Sequence, residues 1–321
     1  MLARWPALGA YAERLGGTPL IEVPSSRGAA RIFAKCEGDN PSGSVKDRVA
    51  FAMLYRMFLE RKNTSNLRVV EYSDGSLAYA LAFLCRELGI PLRLVLSSTS
   101  TERTRADLEA MGASLDIVDR ALGFFAVIEH AHAVAASHPR LVFLSQHTNP
   151  ANLWVHQVTT GWEIAHQLPA GIVPDAWVAS IGTGGTLRGV ADVLTQLSPE
   201  LQIYAVSPDE LPYGSGAAPN GLPKFAGSGG FGFGRKQPLI EPWERRLDGH
   251  FTVAYVDSLR EIRDFAARTG LRLGTSAAAN LMAARTVAER LGPAKTVVTV
   301  FPSYATADEW AIACGGGLRA V

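Results

Sequence analysis

The sequence predicts an α/β protein made of two doubly wound domains with parallel sheets. Short runs of β-branched residues alternate with longer amphipathic stretches, and glycine follows several of the predicted helices. This alternation is typical of parallel strands that are joined by helices. The chain has 321 residues, of which 47% are hydrophobic and 19% charged, which is enough for about two domains and a sizeable core.

The predicted elements follow one another in order along the chain. Arg68–Tyr72 is predicted to be a strand, and residues 77–88 form an amphipathic stretch that predicts a helix ending at Gly89. A second helix is predicted over 101–111, before Gly112, and a third over 186–197. Further strands are predicted at 92–96, 115–118, 177–181, 203–206 and 296–300.

Residues 211–238 break this rhythm, because 8 glycines and 4 prolines fall within these 28 residues. Such loops inside a compact domain are either functional or disordered. We favour a lid or pocket wall, and the alternative is a surface insertion without a role.

Charge and cysteine content exclude several classes of function. The formal net charge is +1, so no strong field attracts nucleic acid or an anionic membrane. The three cysteines lack metal-ligand or disulfide spacing, and no apolar run has the length of a membrane span. We expect no metal, no secretory signal and a cytoplasmic protein.

Amine chemistry is restricted to six side chains, because the 31 cationic residues comprise six lysines and 25 arginines. Only lysine forms a Schiff base. Lys46 lies in Asn40-Pro-Ser-Gly-Ser-Val-Lys-Asp-Arg48, where Ser44 is placed to cap a helix running through Met57. The helix dipole disfavours a cation in the first turn and would lower the pKa of this amine. A solvated lysine is the alternative.

Two further motifs follow predicted strands. Ile181-Gly-Thr-Gly-Gly-Thr-Leu187 joins a strand to a helix, and its backbone N–H groups are placed to bind a phosphate. It matches neither the dinucleotide fingerprint nor the P-loop, and a tight turn is the alternative. Ser145-Gln-His-Thr-Asn-Pro-Ala-Asn152 follows the apolar run 141–144, at the strand end where open α/β sheets bind ligands.

Together, these motifs resemble the cysteine synthase family of pyridoxal-phosphate enzymes, whose fold is related to the tryptophan synthase β subunit (fold type II). The resemblance runs from Gly17-Thr-Pro-Leu20 to about Pro302, and the stretch 149–152 with Thr159-Thr-Gly161 is especially similar. It implies pyridoxal 5′-phosphate as cofactor, a larger cofactor-anchoring domain of residues 1–40 and 151–321, a smaller mobile domain of residues 41–150, and a homodimer.

The resemblance also implies roles for individual residues. Lys46 would form the internal aldimine and then shuttle the α-proton, while Gln146 would face the substrate carboxylate. Ser276 would pair with the pyridine nitrogen, and a neutral hydroxyl there favours expulsion of a β-leaving group over transamination. The cofactor phosphate would be held by Gly182, Thr183, Gly184, Gly185 and Thr186.

The substrate loop departs from the family pattern. The family has Thr-Ser-Gly-Asn-Thr-Gly where this chain has Ser73-Asp74-Gly75-Ser76-Leu77-Ala78. Ser76 replaces the asparagine that contacts the cofactor, and Ser73, Asp74, Gly75 and Leu77 are the implied substrate contacts. An ionised Asp74 about 4 Å from a carboxylate would cost several kcal/mol at an effective dielectric near 20. Alternatively, Asp74 points outward and caps the next helix. The stretch Pro302-Ser-Tyr-Ala-Thr306 is altered as well.

The predicted function is therefore β-elimination or β-replacement on an O-activated serine or a related amino acid, through an α-aminoacrylate, with an altered substrate or nucleophile. The partners would be a small amino acid and a small nucleophile. One alternative is a β-eliminating lyase of the desulfhydrase or deaminase type. Another is a catalytically weak homologue that acts as a binding or regulatory partner.

Overall fold

The structure is a computed structural model that describes residues 5–61, 66–73, 75–217, 220–226 and 234–315. The chain divides into two compact units. The small unit comprises the described residues of Met1–Leu15 and Asn40–Asn152. The large unit comprises Gly16–Asp39 and the described residues of Leu153–Ala320.

The small unit is built on a four-stranded parallel sheet. Its strands are β3 (Arg68–Tyr72), β4 (Leu92–Ser97), β5 (Ser114–Val118) and β6 (Leu141–Phe143), in the order β5-β4-β3-β6. Since all four strands are parallel, the segments that follow β3 and β6 leave the sheet at the same edge.

The helices of the small unit confirm the predicted alternation. They are α1 (Pro6–Ala12), α2 (Lys46–Glu60), α3 (Ser76–Leu88), α4 (Glu102–Ala110) and α5 (Gly123–Ala136). Gly89 ends α3 in the left-handed conformation at φ 62°, as the sequence predicted. Helix α2 continues past Met57 to Glu60.

Helix α1 belongs to the small unit, whereas the sequence assigned residues 1–40 to the larger domain. The hydroxyl of the buried Tyr11, on α1, donates a hydrogen bond to the carboxylate of Asp47 on α2. This hydrogen bond and the packing of α1 on α2 and α3 explain the difference.

The large unit is built on a six-stranded sheet. Its strands are β1 (Leu20–Val23), β2 (Arg31–Cys36), β7 (Ala176–Ser180), β8 (Gln202–Pro208), β9 (Gly249–Val253) and β10 (Thr296–Phe301), in the order β1-β2-β10-β7-β8-β9. The edge strand β1 is antiparallel to β2, and the other neighbours are parallel.

Helices cover both faces of this sheet, so the unit is doubly wound. Helices α7 (Trp162–Gln167) and α8 (Gly185–Leu197) pack in a core cluster around Trp177. Helix α10 (Thr275–Leu291) packs in a second cluster with Phe301, and α9 (Tyr255–Thr269) lies against α10. Helices α6 (Pro150–Val155) and α11 (Ala307–Ala313) complete the described α-helices of the chain.

Three of these strands, β1, β2 and β9, are missing from the sequence prediction. Strand β2 contains Lys35, a residue that argues against a buried strand. The structure buries it completely, and its Nζ lies 2.7 Å from Oε2 of Glu163 and 2.8 Å from Oε1 of Gln167. A charge with this much compensation is tolerated in a core.

Helices α6 and α7 are joined by a π-helical turn, His156–Gly161. Such turns widen a helix locally and occur often at functional sites. Within the described ranges, no helix has the length and apolar character needed to cross a membrane.

Candidate active site

The segment before α2 fixes the start of that helix. Gly43 has φ 91° and its N–H bonds to the carbonyl of Asn40 at 2.8 Å. Ser44 Oγ accepts the backbone N–H of Lys46 at 3.2 Å, but Val45 rather than Ser44 is the N-cap of α2, which corrects the predicted cap. Lys46 is the first residue of α2.

Asp47 ties this turn together and was missed by the sequence analysis. Its buried carboxylate accepts the N–H and Oγ–H of Ser42 at 3.0 and 2.8 Å, and the N–H of Ser44 at 3.3 Å. Burial raises its pKa, although the hydrogen bonds from Tyr11 and Ser42 act in the opposite direction. These bonds fix the backbone that precedes Lys46.

Lys46 has the electrostatic character that imine chemistry requires. Burial lowers the pKa of its amine to about 8, so about a tenth of the amine is uncharged at pH 7, and only the free amine is nucleophilic. The sequence predicted a lowered pKa from the helix dipole. The structure assigns the shift to desolvation instead.

The predicted substrate loop begins at the carboxyl end of β3. Ser73 is half-buried, Gly75 and Ser76 are exposed, and Asp74 lies outside the described residues. Gly75 is the N-cap of α3, so no side chain caps that helix there. The side chain of Leu77 is 1% exposed and packs into the core, and its assignment as a substrate contact stays a prediction.

Gln146 is hydrogen-bonded to Tyr72, the residue that precedes this loop. Its side-chain Nε2 donates to the backbone carbonyl of Tyr72 at 3.2 Å, and its backbone carbonyl accepts from Nδ2 of Asn152 at 2.8 Å. Ser145 has φ 54°, a left-handed conformation that is uncommon outside glycine. The segments after β3 and β6 are therefore joined directly through Gln146.

Glu71 is a second residue that the sequence analysis missed. It is fully buried at the end of β3, and its Oε1 accepts the N–H of Tyr72 at 3.1 Å. Burial raises its pKa to about 8, while the backbone N–H groups of Tyr72, Gln146 and Ser145 partly oppose this shift. Its Oε2 has no partner among the described residues. A lone acidic residue within an apolar strand was the available signal.

The large unit contains the predicted phosphate-binding loop, which follows β7. Gly184, the N-cap of α8, has φ 89°, and a Cβ on it would lie 2.2 Å from Cγ1 of Ile240. Thr183 Oγ1 accepts the N–H of Gly185 at 3.3 Å. Helix α8 thus begins on a residue without a side chain, with its first N–H groups and its positive dipole end directed toward the loop.

Thr186, in the first turn of α8, is held from a neighbouring segment. Its Oγ1 lies 3.1 Å from Nε2 of His156, whose Nδ1 lies 2.9 Å from Oγ1 of Thr160. His156 is not among the residues that the sequence analysis singled out. The structure joins it directly to a predicted cofactor residue.

Ser276 is buried at the start of α10. The adjacent Thr275 donates its N–H and Oγ–H to Oε1 of Glu309 at 3.2 and 2.7 Å. Glu309 also forms a capping box with Thr306 at the start of α11. The Thr-x-x-Glu spacing of 306–309 was the sequence signal for this missed residue.

The Gly/Pro-rich loop, residues 211–238, also contacts helix α10. The N–H of Ala226 donates to Oγ1 of Thr275 at 2.7 Å, and Phe225 is buried in the adjacent core. The described part of this loop therefore anchors beside Ser276, which favours a structural or pocket-wall role over a loose insertion.

Tyr304, in the altered C-terminal stretch, bridges two strand ends of the large unit. Its hydroxyl donates to Oδ1 of Asp39 at 2.9 Å. A Cβ on Gly38 would lie 2.5 Å from its ring. Desolvation and the bond to Asp39 raise the pKa of Tyr304, so this phenol stays protonated.

A surface cavity of about 560 Å³ lies elsewhere on the small unit. It is lined by residues that include Trp5, Phe58, Arg68 and Arg140. Arg68 begins β3, so this cavity is at the amino-terminal edge of the sheet. Ser73 and Gln146 lie at the carboxyl-terminal edge, where ligands of open α/β sheets bind.

Comparison with known proteins identifies the class. The family model of pyridoxal-phosphate dependent enzymes matches residues 11–303, so the chain belongs to that family. A cysteine synthase of Staphylococcus aureus (strain Mu50) is 35% identical over 292 residues, covering 90% of this chain and 91% of the relative.

Two solved structures agree with this assignment. Cysteine synthase from Entamoeba histolytica superposes with a TM-score of 0.83 at 26% identity, over 94% of this chain and 90% of that chain. A hydrogen sulfide-producing enzyme from Fusobacterium nucleatum also gives 0.83 at 26% identity, over 93% and 89%. The predicted resemblance and fold are confirmed: this is a cysteine synthase-like enzyme that depends on pyridoxal 5′-phosphate.

The residues present fit that cofactor. The start of α8 offers uncapped N–H donors and the Thr186 hydroxyl for a phosphate, and a Cβ on Gly184 would fill the turn. Lys46 supplies an amine of lowered pKa. Ser276 supplies a buried neutral hydroxyl.

Gly184→Ala tests the turn before α8, and Gly28→Ala is its matched control. Both glycines have similar positive φ, 89° and 85°, but no atom lies within 4 Å of a Cβ on Gly28. The left-handed conformation costs alanine about 1–2 kcal/mol at either site. We expect the free energy of unfolding to fall by at least about 1 kcal/mol more in Gly184→Ala than in Gly28→Ala, because overpacking against Ile240 adds to the backbone strain. Equal losses in denaturant unfolding would contradict this account.

Glu71→Gln tests the buried carboxyl through its pH dependence. The carboxyl of Glu71 ionises near 4.5 when unfolded and near 8 when folded. The folded state therefore retains a proton that the unfolded state loses, and wild-type stability falls as pH rises through this window. Glutamine does not ionise, so the variant lacks this loss of stability. Its free energy of unfolding should therefore increase relative to wild type from pH 4.5 to 8.

The control for this measurement is Glu22→Gln on the surface. A hydrogen bond from Arg31 lowers the pKa of Glu22, so its substitution should change the pH profile only below about pH 4.5. A stability difference for Glu71→Gln that stays flat between pH 4.5 and 8 would show that Glu71 is ionised in the folded protein.

Proposed function

We propose that the protein catalyses β-elimination or β-replacement on an O-activated serine or a related amino acid. The observation that carries this proposal is the amine of Lys46, fixed at the start of α2 with its pKa lowered to about 8 by burial. The cysteine synthase relative supports the same reaction class.

Each proposed role follows from a property of the residue. Bound pyridoxal phosphate supplies an electron sink for the substrate's α-carbon. The Lys46 amine attaches the cofactor and takes the α-proton, since it is nucleophilic and basic near neutral pH. Gln146 and the backbone around Ser73–Ser76 bind the substrate carboxylate at the edge of the small unit's sheet.

Ser276 and the helix α8 loop complete the proposed cofactor contacts. A hydroxyl opposite the pyridine nitrogen holds no full positive charge on the ring, which favours loss of a β-substituent. Gly182–Gly185 and Thr186 bind the phosphate through N–H groups and a hydroxyl.

A β-eliminating lyase is the second candidate function. It is supported by the similarity to the hydrogen sulfide-producing enzyme of Fusobacterium nucleatum. The two functions share the elimination step and differ in whether a nucleophile or water completes the reaction.

We also propose a cytoplasmic homodimer. Cys36 and Cys85 are buried free thiols, which suits a reducing compartment. Trp154, Val158 and Trp162 recur every four residues on one stretch and are 45%, 42% and 49% exposed. An apolar stripe of this kind supports self-association.

Product analysis tests the proposal and separates its two forms. We expect yellow purified protein to convert O-acetylserine, O-phosphoserine or β-chloroalanine. A replacement enzyme should give a β-substituted amino acid with added thiol or sulfide, whereas a lyase should give pyruvate and ammonia in either case. Lys46→Arg, which keeps the charge but forms no imine, should abolish both. Turnover by Lys46→Arg at the wild-type rate would refute the assignment.

A further inference from the structure

His156 is a completely buried side chain with both ring nitrogens engaged. Nδ1 lies 2.9 Å from Oγ1 of Thr160, and Nε2 lies 3.1 Å from Oγ1 of Thr186. Thr160 is also fully buried. A hydroxyl–imidazole–hydroxyl chain thus runs from the interior of the large unit to the first turn of α8.

Two glycines allow the segment that carries His156 to lie close to α8. A Cβ on Gly189 would lie 2.7 Å from Cβ of His156 and 2.8 Å from the carbonyl oxygen of Leu153. A Cβ on Gly161 would lie 2.9 Å from Cβ of Val193. Helix α8 and the π-helical turn therefore approach each other so closely that only glycine fits at these two positions.

We propose that His156 is the positioning residue of the cofactor phosphate site: its Nε2–H donates to Oγ1 of Thr186, so that the Thr186 hydroxyl hydrogen is directed to the phosphate. This inference rests on the proposed role of the α8 loop. It assigns a tautomer to His156 and a direction to its hydrogen bonds with Thr160 and Thr186.

The direction follows from the single hydrogen that a threonine hydroxyl carries. If Thr186 donated to Nε2, only its oxygen lone pairs would face the phosphate, and they would repel an anion. When Nε2–H donates instead, the Thr186 hydrogen is available to the phosphate. Nδ1 is then an acceptor, and the hydroxyl of Thr160 donates to it, which stabilises this tautomer.

The first test measures cofactor retention rather than activity. In His156→Leu holoprotein, we expect pyridoxal phosphate to dissociate at least about tenfold faster, since a hydrogen bond to a charged group is worth roughly that factor or more. His156→Gln, whose amide keeps an N–H donor, should restore most of the retention. His166→Gln is the control, because the exposed ring of His166 lies 2.8 Å from the carbonyl of Trp162, away from Thr186 in its hydrogen bonding. This variant should retain the cofactor normally.

A double-mutant cycle shows whether His156 acts through Thr186. Thr186→Val should itself weaken retention, and adding His156→Leu to it should have little further effect. An undiminished effect of His156→Leu in the Thr186→Val background would overturn the proposal, because it would show that the imidazole acts by packing alone.

Nitrogen-15 NMR of the wild-type holoprotein needs no substitution and reads the tautomer directly. We expect the proton of His156 on Nε2, and a proton on Nδ1 alone would overturn the proposal. A wild-type chain that binds no pyridoxal phosphate would contradict the proposed function instead. The same nitrogen spectra, recorded with added inorganic phosphate, would then test the role proposed for His156. The Nε2–H tautomer supports that role, and the Nδ1–H tautomer refutes it.

Discussion

The start of helix α8 at Gly184 is the constraint on which the proposed chemistry depends. The glycine N-cap supplies no side-chain acceptor, although Thr183 Oγ1 accepts the N–H of Gly185, and the first N–H groups carry the positive end of the helix dipole. Helix α3 begins in the same way at Gly75. By contrast, α4 and α11 begin at Thr101 and Thr306, whose side chains cap the helix themselves. The N-cap residues of α8 and α3 thus contribute no side-chain acceptor, a feature that these helices share with α1, α5 and α9.

Burial has opposite effects on the two titratable groups at the edge of the small unit. Desolvation disfavours the charged form of either group. It therefore lowers the pKa of the Lys46 amine to about 8 and raises that of the Glu71 carboxyl to about 8. Neutral forms of both are accessible near physiological pH. Lys46 thereby becomes a nucleophile, while Glu71 stays in the interior without a full charge.

Much of the fold and part of the site could be predicted from sequence. Strands β3, β4, β5, β7 and β8 and helices α3, α4 and α8 depend on local information and were recovered, whereas α5, α6 and α7 were not predicted. Strand β2 was missed because the partners that compensate Lys35, such as Glu163, are more than a hundred residues away in sequence. The place of α1 in the small unit likewise depends on residues far apart in sequence, because the Tyr11 hydroxyl bonds to the Asp47 carboxylate.

The positioning residues were beyond sequence reasoning for the same reason. The motifs identified Lys46, Thr186 and Ser276, which carry chemical groups in characteristic patterns. Asp47 and His156 act only through contacts with these groups or with their backbone, and such contacts appear once the chain is folded.

Mapping the attachment point of the cofactor tests the central claim most directly. Borohydride reduction of the purified protein, followed by proteolysis and mass spectrometry, locates the phosphopyridoxyl group on one of six lysines. The account predicts a stoichiometric adduct in the peptide containing Lys46. An adduct on another lysine, or no adduct in protein that holds the cofactor, would contradict it.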